Sequence, residues 1–540
     1  MMLRFREDHA FLKTRALRPH CYSEKVHTLF DKDFMSTLAT AEKLTPTQRQ
    51  SVLVALRSPK LLSIEILAGL VTALALIPEA LAFAVVAGVD PRIGLFASFT
   101  MAVTISITGG RPAMISGAAG STPLVIAPLM ASHGLAYLIA AVMLAGILQI
   151  LLAFAGVAQL MRFIPRQVMV GFVNALAILI FSSQLPQLIG VPWLVYPLVA
   201  VGLVMVFGLP RIHPMIPAPL VAIVVLTAFT ILAGVAIPTV GDFGALPDSL
   251  PQLTALGVPL TFDTLRTIAP FALAVAFVGL VESLMTAKLV DDLTDTHSNK
   301  TRESWGQGVA NIVTAVFGGM GGCAMIGQTM INVKTGHART RISTFCAGIF
   351  VLLLSVTMGG LVGQIPMAAL VAVMILVAFS TFDWHSVKPT TLAVMPGSEN
   401  IVMLVTVLIT VFTHNLAFGV GVGILTALVL FARRIAHVVT VQREVVDSAS
   451  GFADDDARAV YRVRGPLFFG SSNDLYSQFS YAEDPALVEI DMSESHVWDA
   501  SSVSALDSIA TRYEGLGKTL KVTGLNEPSE VLRERLSGRE

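Results

Sequence analysis

The chain has 540 residues, of which 54% are hydrophobic and 14% charged, and its formal net charge is −1. A mean hydropathy of +0.73 is more apolar than a water-soluble fold of this length needs, so the chain reads as an α-helical polytopic membrane protein. Charge near zero names no partner, the three cysteines (Cys21, Cys323, Cys346) are too scattered for a disulfide framework or metal site, and no nucleophile–base pair or phosphate loop suggests an enzyme.

Residues 1–60 are polar and lack a short apolar core followed by a small-residue cleavage site. No secretory signal peptide is expected there, and Met35 is an alternative start. Residues 61–435 are expected to form the transmembrane domain, and residues 440–540, where charge returns, a soluble domain. Hydropathy predicts seven spans in the first half, near 62–84, 93–108, 118–131, 135–156, 168–189, 192–208 and 215–236. It predicts seven more near 268–287, 307–319, 325–333, 342–360, 365–381, 399–414 and 417–433.

Lys and Arg in short loops set the orientation. With the N-terminus in the cytoplasm, the cytoplasmic connections carry Arg111, Arg162, Arg166, Arg211, Lys288, Lys300, Arg302, Lys334, Arg339, Arg341 and Lys388. The outer loops carry little beyond Arg92 and Arg266, and the outer loop 237–267 has Asp242, Asp248 and Asp263. This pattern predicts both termini on the cytoplasmic side of the plasma membrane.

The third and tenth segments are too short to cross a bilayer, which takes about 20 residues of helix. They occupy matching places in the two halves, after the glycine-rich stretches GGRPAMISGAAGSTP (109–123) and FGGMGGCAMIGQTM (317–330). Paired, interrupted segments of this kind point to a seven-plus-seven inverted repeat whose half-helices meet near the midplane. Their free N–H groups and positive dipole ends would form a site for an anion. The plainer alternative is that Gly318 and Gly322 form a GxxxG helix-packing face.

Two carboxylates, Glu79 and Glu282, lie deep in apolar sequence, where a charge is costly and points to function, the plainer alternative being a Glu kept neutral and hydrogen-bonded for packing. Glu282 and Thr286 are four apart and share a helix face. Their oxygens suit a hard cation, or the carboxyl can carry a proton. Met325 and Met330 read as packing, His414 as an interfacial residue, and Asp291, Asp292 and Asp295 as a solvated surface.

In the soluble part, ARAVYRVRGPLFFGS reads as a strand pair or one extended run, LVEIDM (487–492) as a strand, and SSVSALDSIATRYEGLG (501–517) as a helix. TLKVTGL is a further strand and EPSEVLRERL a last helix, giving a small α/β domain.

The first span, EILAGLVTALALIPEALAFAVVAGVDPRIGLFAS (65–98), resembles the signature of the SulP anion transporters, the sulfate permease relatives also called SLC26. RESWGQGVANIVTAVFGG (302–319) resembles the family's RE-x-x-x-QG-x-AN run, and the C-terminal domain resembles a STAS domain. The resemblance implies gate and core subdomains, elevator-like transport and a homodimer. It places the anion between the N-termini of the third and tenth segments. Mapped onto this chain, the backbone donors are Ala118, Ala119, Gly120, Met325, Ile326 and Gly327, and Phe83 is an apolar wall. Gln328 stands where many animal relatives carry Arg, and Glu79 where several carry Gln. ESLMT (282–286) resembles the D-S-L-L-T element of sodium-dependent bicarbonate carriers, which makes Glu282 and Thr286 a candidate Na+ pair. Switch versions of the STAS domain phosphorylate the first Ser of D-S-S-G. Ala500 occupies that position here, so the switch is expected to be absent, and Ser501 is a weak alternative. The expected function is cation-coupled (H+ or Na+) symport of a small inorganic anion, sulfate or bicarbonate, with no cofactor. An exchanger, a channel, a dicarboxylate carrier or a non-transporting scaffold are the alternatives.

Overall fold

The computed structural model describes residues 50–537 except 161–163, 213–217, 245, 248, 255–256, 260, 437–438 and 447–456. Most of the N-terminal segment, with Cys21 and Met35, lies outside the described residues, as do Arg162 and Asp248.

Among the described residues, fourteen helices overlap the expected segments in order, and further short helices, Val157–Leu160, Gly359–Gly363 and Pro389–Val394, lie between them. The first seven are α1 Pro59–Ala87, α2 Pro91–Thr108, α3 Ser121–His133, α4 Leu135–Phe154, α5 Arg166–Gln184, α6 Val195–Ile212 and α7 Ala218–Leu232. The second seven are α8 Phe262–Thr294, α9 Lys300–Val316, α10 Ile326–Met330, α11 Arg341–Thr357, α12 Met367–Thr381, α13 Gly397–Thr413 and α14 Leu416–Ala436. Local chemistry sets the ends. Helix α1 starts on Pro59, whose missing N–H is no loss in a first turn, and stops at Gly88 with φ 72°. Helix α8 starts where the Thr261 side chain accepts from the Thr264 amide.

Six helices (α1, α2, α4, α5, α8 and α14) are long and apolar enough to cross a membrane, α5 with the short turn after it. Five others (α6, α7, α11, α12 and α13) are apolar but shorter. Two expected spans differ. The eighth, expected at 268–287, is the 33-residue α8. The ninth, expected at 307–319, begins at Lys300 and buries a polar row of Glu303, Gln307, Asn311 and Thr314. That polar row offsets the hydropathy of its first turns, so a hydropathy window starts the span late. The third and tenth segments are short, and α10 continues through a wider turn, Ile331–Thr335.

The helices pack as two groups. Helices α1, α2, α4, α8, α9 and α11 pack mainly against one another, with α3 and α10 among them. Helices α5, α6, α12, α13 and α14 form the second group, with α7 against α6 and α12. Within the first group lie two very short strands, β1 Ser116–Gly117 and β2 Cys323–Ala324. They pair antiparallel, Ser116 opposite Ala324 and Gly117 opposite Cys323, just ahead of α3 and α10. Gly318 and Gly322 lie in the non-helical approach to β2, so the GxxxG packing face does not form.

The C-terminal domain is a four-stranded sheet, β3 Thr440–Val446, β4 Arg458–Leu467, β5 Leu487–Val497 and β6 Thr519–Thr523, in the order β3-β4-β5-β6. The first pair is antiparallel and the other two are parallel. Three helices accompany it: α15 Phe469–Ser477, α16 Ala500–Gly515 and α17 Glu527–Leu536. RAVYRVRGPL is thus one long strand, and its antiparallel partner is the charged β3, which sequence reading did not anticipate. Strand β3 is mostly exposed, so it lacks the apolar alternation that marks a half-buried strand. The domain core holds Tyr461, Ile490, Leu506, Ile509 and Tyr513. Asp484 is buried beneath it, accepting from Tyr461 Oη (2.7 Å) and Tyr513 Oη (2.5 Å) and pairing with Arg443 Nε (2.8 Å).

Candidate functional site

The site begins with a backbone crossing. A β-carbon on Gly322 would collide with the carbonyl oxygen of Gly117, so only glycine lets β2 lie this close to β1. Gly318 and Gly321 have φ of 73° and 74°, a region that side chains disfavour. Irregular backbone at membrane depth is tolerated only where its polar groups are met. Here they are met by side chains from neighbouring helices.

Asn311 of α9 accepts from the Gly322 amide (2.9 Å) and donates to its carbonyl (3.1 Å). Gln307 donates to Ser116 Oγ at 2.6 Å, and Glu303 accepts from the amides of Gly110 (2.7 Å) and Arg111 (3.0 Å). The RE-x-x-x-QG-x-AN run is therefore the polar scaffold of both glycine-rich approaches. Thr329 Oγ1 accepts from the Ile115 amide (3.0 Å), and the Ile115 carbonyl accepts from the Met325 amide (2.9 Å).

Beyond the crossing, the N-terminal ends of α3 and α10 face a cavity of about 100 Å³. Helices α1 and α8 close one side, with Glu79, Phe83, Glu282 and Met285. Helices α5 and α12 close the other, with Phe172, Leu176, Ile180, Ser380 and Thr381. The cavity thus lies between the two helix groups. Among the described residues no acceptor meets the amides of Ala119, Gly120, Ile326 or Gly327, all of which line it. Gln328 is 1% exposed; its side chain lies beside the Glu79 carboxyl, and its Nε2 makes no hydrogen bond of good geometry. Phe83 packs so closely on Gly120 that a β-carbon there would come within 2.8 Å of its ring.

Two expected donors are spent elsewhere. The Ala118 amide donates to Ser98 Oγ at 3.1 Å and Ala118 does not line the cavity, while Met325 reaches the cavity but its amide is held by Ile115. Both sit one position too early, where the chain is still finishing the β1–β2 pairing.

The Glu282 carboxylate, in the cavity wall, receives the Ser121 hydroxyl and the Cys323 thiol (3.1 Å for the latter). One helix thereby touches the first residue of α3 and the first of β2. Thr286 does not line the cavity, because its hydroxyl donates back to the Glu282 main-chain carbonyl at 2.8 Å. The Glu282–Thr286 pair shares a buried helix face, as its spacing requires, but the two side chains do not converge on one point. Sequence reading did not single out Ser121, Cys323, Phe172, Ser380 or Thr381. Cys323 was weighed only against disulfide and metal chemistry, and the two segments of the crossing are about 200 residues apart, a separation no local pattern spans. Among the described residues no cluster of His, Cys, Asp and Glu could hold a metal ion.

The sulfate permease family pattern matches residues 62–201 and 193–406, and the STAS domain pattern matches residues 452–536. The putative sulfate transporter YbaR of Bacillus subtilis is 49% identical over 473 residues, 88% of this chain and 96% of that protein. The bicarbonate transporter BicA of a Picosynechococcus species is 26% identical over 80% of this chain and 83% of its own. The structure of the murine Slc26a9 anion transporter in its inward-facing state superposes with a TM-score of 0.74, covering 98% of this chain and 94% of that one at 17% identity. A mostly helical apolar region with two short, paired segments, a STAS domain on the C-terminal side and matching family patterns lead to one assignment: the chain belongs to the sulfate permease (SulP/SLC26) family of membrane transporters.

Proposed function

We propose that the protein is a secondary active transporter that carries a small oxyanion, sulfate or bicarbonate, by cation-coupled symport. One observation carries the reading: four unpartnered amides line a single small cavity, with the Gln328 side chain beside them. Buried donors without acceptors cost about 1–3 kcal/mol each, and an anion would satisfy them. Two helix N-termini add their positive ends. Relatives named as sulfate transporters and as bicarbonate transporters agree with a small oxyanion.

Glu282 supplies the coupling. A carboxylate beside an anion site repels the anion unless a cation neutralises it. Na+ bound on the Glu282 and Ser121 oxygens, or a proton on Glu282, would do so. A cavity walled by both helix groups suits an elevator motion, in which one group carries the site past the other. Positive residues in the loops favour cytoplasmic termini in the plasma membrane, and the family's habit favours a homodimer.

The test is uptake of labelled sulfate and labelled bicarbonate into proteoliposomes of full-length protein, under an inward Na+ gradient, an inward proton gradient, or neither. Saturable uptake of one anion, driven by one of the gradients, is expected. Gradient-independent ionic currents without saturable uptake would instead make the protein a channel.

A further inference from the structure

A second cavity, of about 240 Å³, lies wholly within the α5, α13 and α14 group, on the membrane side where α14 leads into the C-terminal domain. The N-termini of α5 and α13 both open onto it. Each is preceded by a proline with no side-chain cap, Pro165 and Pro396. Among the described residues no acceptor meets the amides of Arg166, Gln167, Gly397 or Ser398. Arg166 and Arg434 stand in the cavity wall. Two helix N-termini and two guanidiniums together make a phosphate-binding environment.

The cavity also holds an acceptor without a donor. Gln167 is 7% exposed, and its Oε1 has no hydrogen-bond partner. Its Nε2 donates to Glu399 Oε2 at 3.3 Å, which fixes the amide orientation, since the flipped form would set oxygen against carboxylate. Among the described residues no Lys or Arg pairs with Glu399. A donor that also carries positive charge would satisfy both groups. The rest of the wall is apolar, Val402, Leu430 and Phe431. Phe431 is 62% exposed, and with Leu425 and Leu428, also exposed, it continues the apolar surface along α14.

We infer that this cavity binds one aminophospholipid: phosphate at the arginines and the two helix ends, ammonium at Gln167 Oε1 and Glu399, acyl chains along α14. Free phosphate would leave the apolar wall and Gln167 Oε1 unmet. A trimethylated headgroup has no N–H to give Gln167. The inference does not depend on which anion the transport site carries.

Native mass spectrometry of delipidated full-length protein tests it, with phosphatidylethanolamine, phosphatidylcholine and inorganic phosphate as probes. Retention of one phosphatidylethanolamine per chain is expected, about tenfold stronger than phosphatidylcholine, as one charge-assisted hydrogen bond allows. Arg434→Gln should weaken retention about tenfold by the same reasoning. Glu399→Gln, at an exposed position that does not threaten folding, should shrink the preference for phosphatidylethanolamine. Arg433→Gln, next door but outside the cavity wall, should change nothing. Equal retention of the two lipids, undiminished retention in Arg434→Gln, or displacement of lipid by inorganic phosphate would each overturn the inference.

Discussion

A β-carbon at position 322 would run into the carbonyl oxygen of Gly117, while the Gly322 amide and carbonyl are both held by Asn311. Asn311→Ala removes both partners in the dry interior. It is expected to cost about 1–3 kcal/mol for each orphaned group and to lower the thermal unfolding midpoint of the purified protein. An unchanged midpoint would mean that the crossing does not rely on Asn311. Gln328 offers a neutral donor to the cavity. Gln328→Arg adds a fixed positive charge and is expected to lower the KM for divalent sulfate by about tenfold while affecting monovalent bicarbonate less. Initial-rate uptake of the two labelled anions measures that difference. Much of this scale was legible in the sequence, since the five glycines of 317–330 and the buried Glu282 announce themselves by type. The contacts of Ser121 and Cys323 were not, because an ordinary Ser and Cys acquire their role only when α8 brings Glu282 between them.

At the scale of elements, the two short segments were recognisable because length and glycine content set them apart from every other apolar run. The strands that hold them were not, because two residues of strand leave no periodic pattern. In the C-terminal domain the alternation of strand and helix was readable from β5 onward, while the exposed β3 and the helix α15, which begins within the run read as extended, escaped. Burial pushes the Tyr481 phenol from its ordinary 10 up to about 12, and Tyr461 and Tyr513 are raised as well, by burial and by hydrogen bonds to Asp484. A raised phenol favours the folded state while it is neutral. Its stabilising contribution is complete below pH 10 and is lost as pH rises through about 12. Ultraviolet absorbance titration of the full-length protein is expected to show the phenolates of Tyr461, Tyr481 and Tyr513 appearing late, together with loss of the domain's structure. Ionisation of all exposed and buried tyrosines in one step near pH 10 would contradict the buried Tyr–Asp cluster.

For the whole molecule, composition and hydropathy were enough to give the class, a mostly helical membrane protein with a mixed C-terminal domain. They could not give the division into two helix groups. That division depends on which helices touch across long sequence separations, such as α9 on α4 and α12 on α5. It matters because the cavity lies on the boundary, with the half-helices and Glu282 on one side and Phe172 and Ser380 on the other. In the proposed elevator motion, one group would carry the anion past the other, with Glu282 travelling alongside it. Glu282→Gln keeps an acceptor for Ser121 and Cys323 but removes the charge to which the proposed coupling assigns a cation. The most direct measurement compares this variant with the wild type in proteoliposomes, scoring gradient-driven accumulation of labelled anion and exchange at equal concentrations on the two sides. Loss of accumulation with exchange retained is the predicted result, whereas accumulation that still follows the cation gradient in Glu282→Gln would contradict the coupling role of this site.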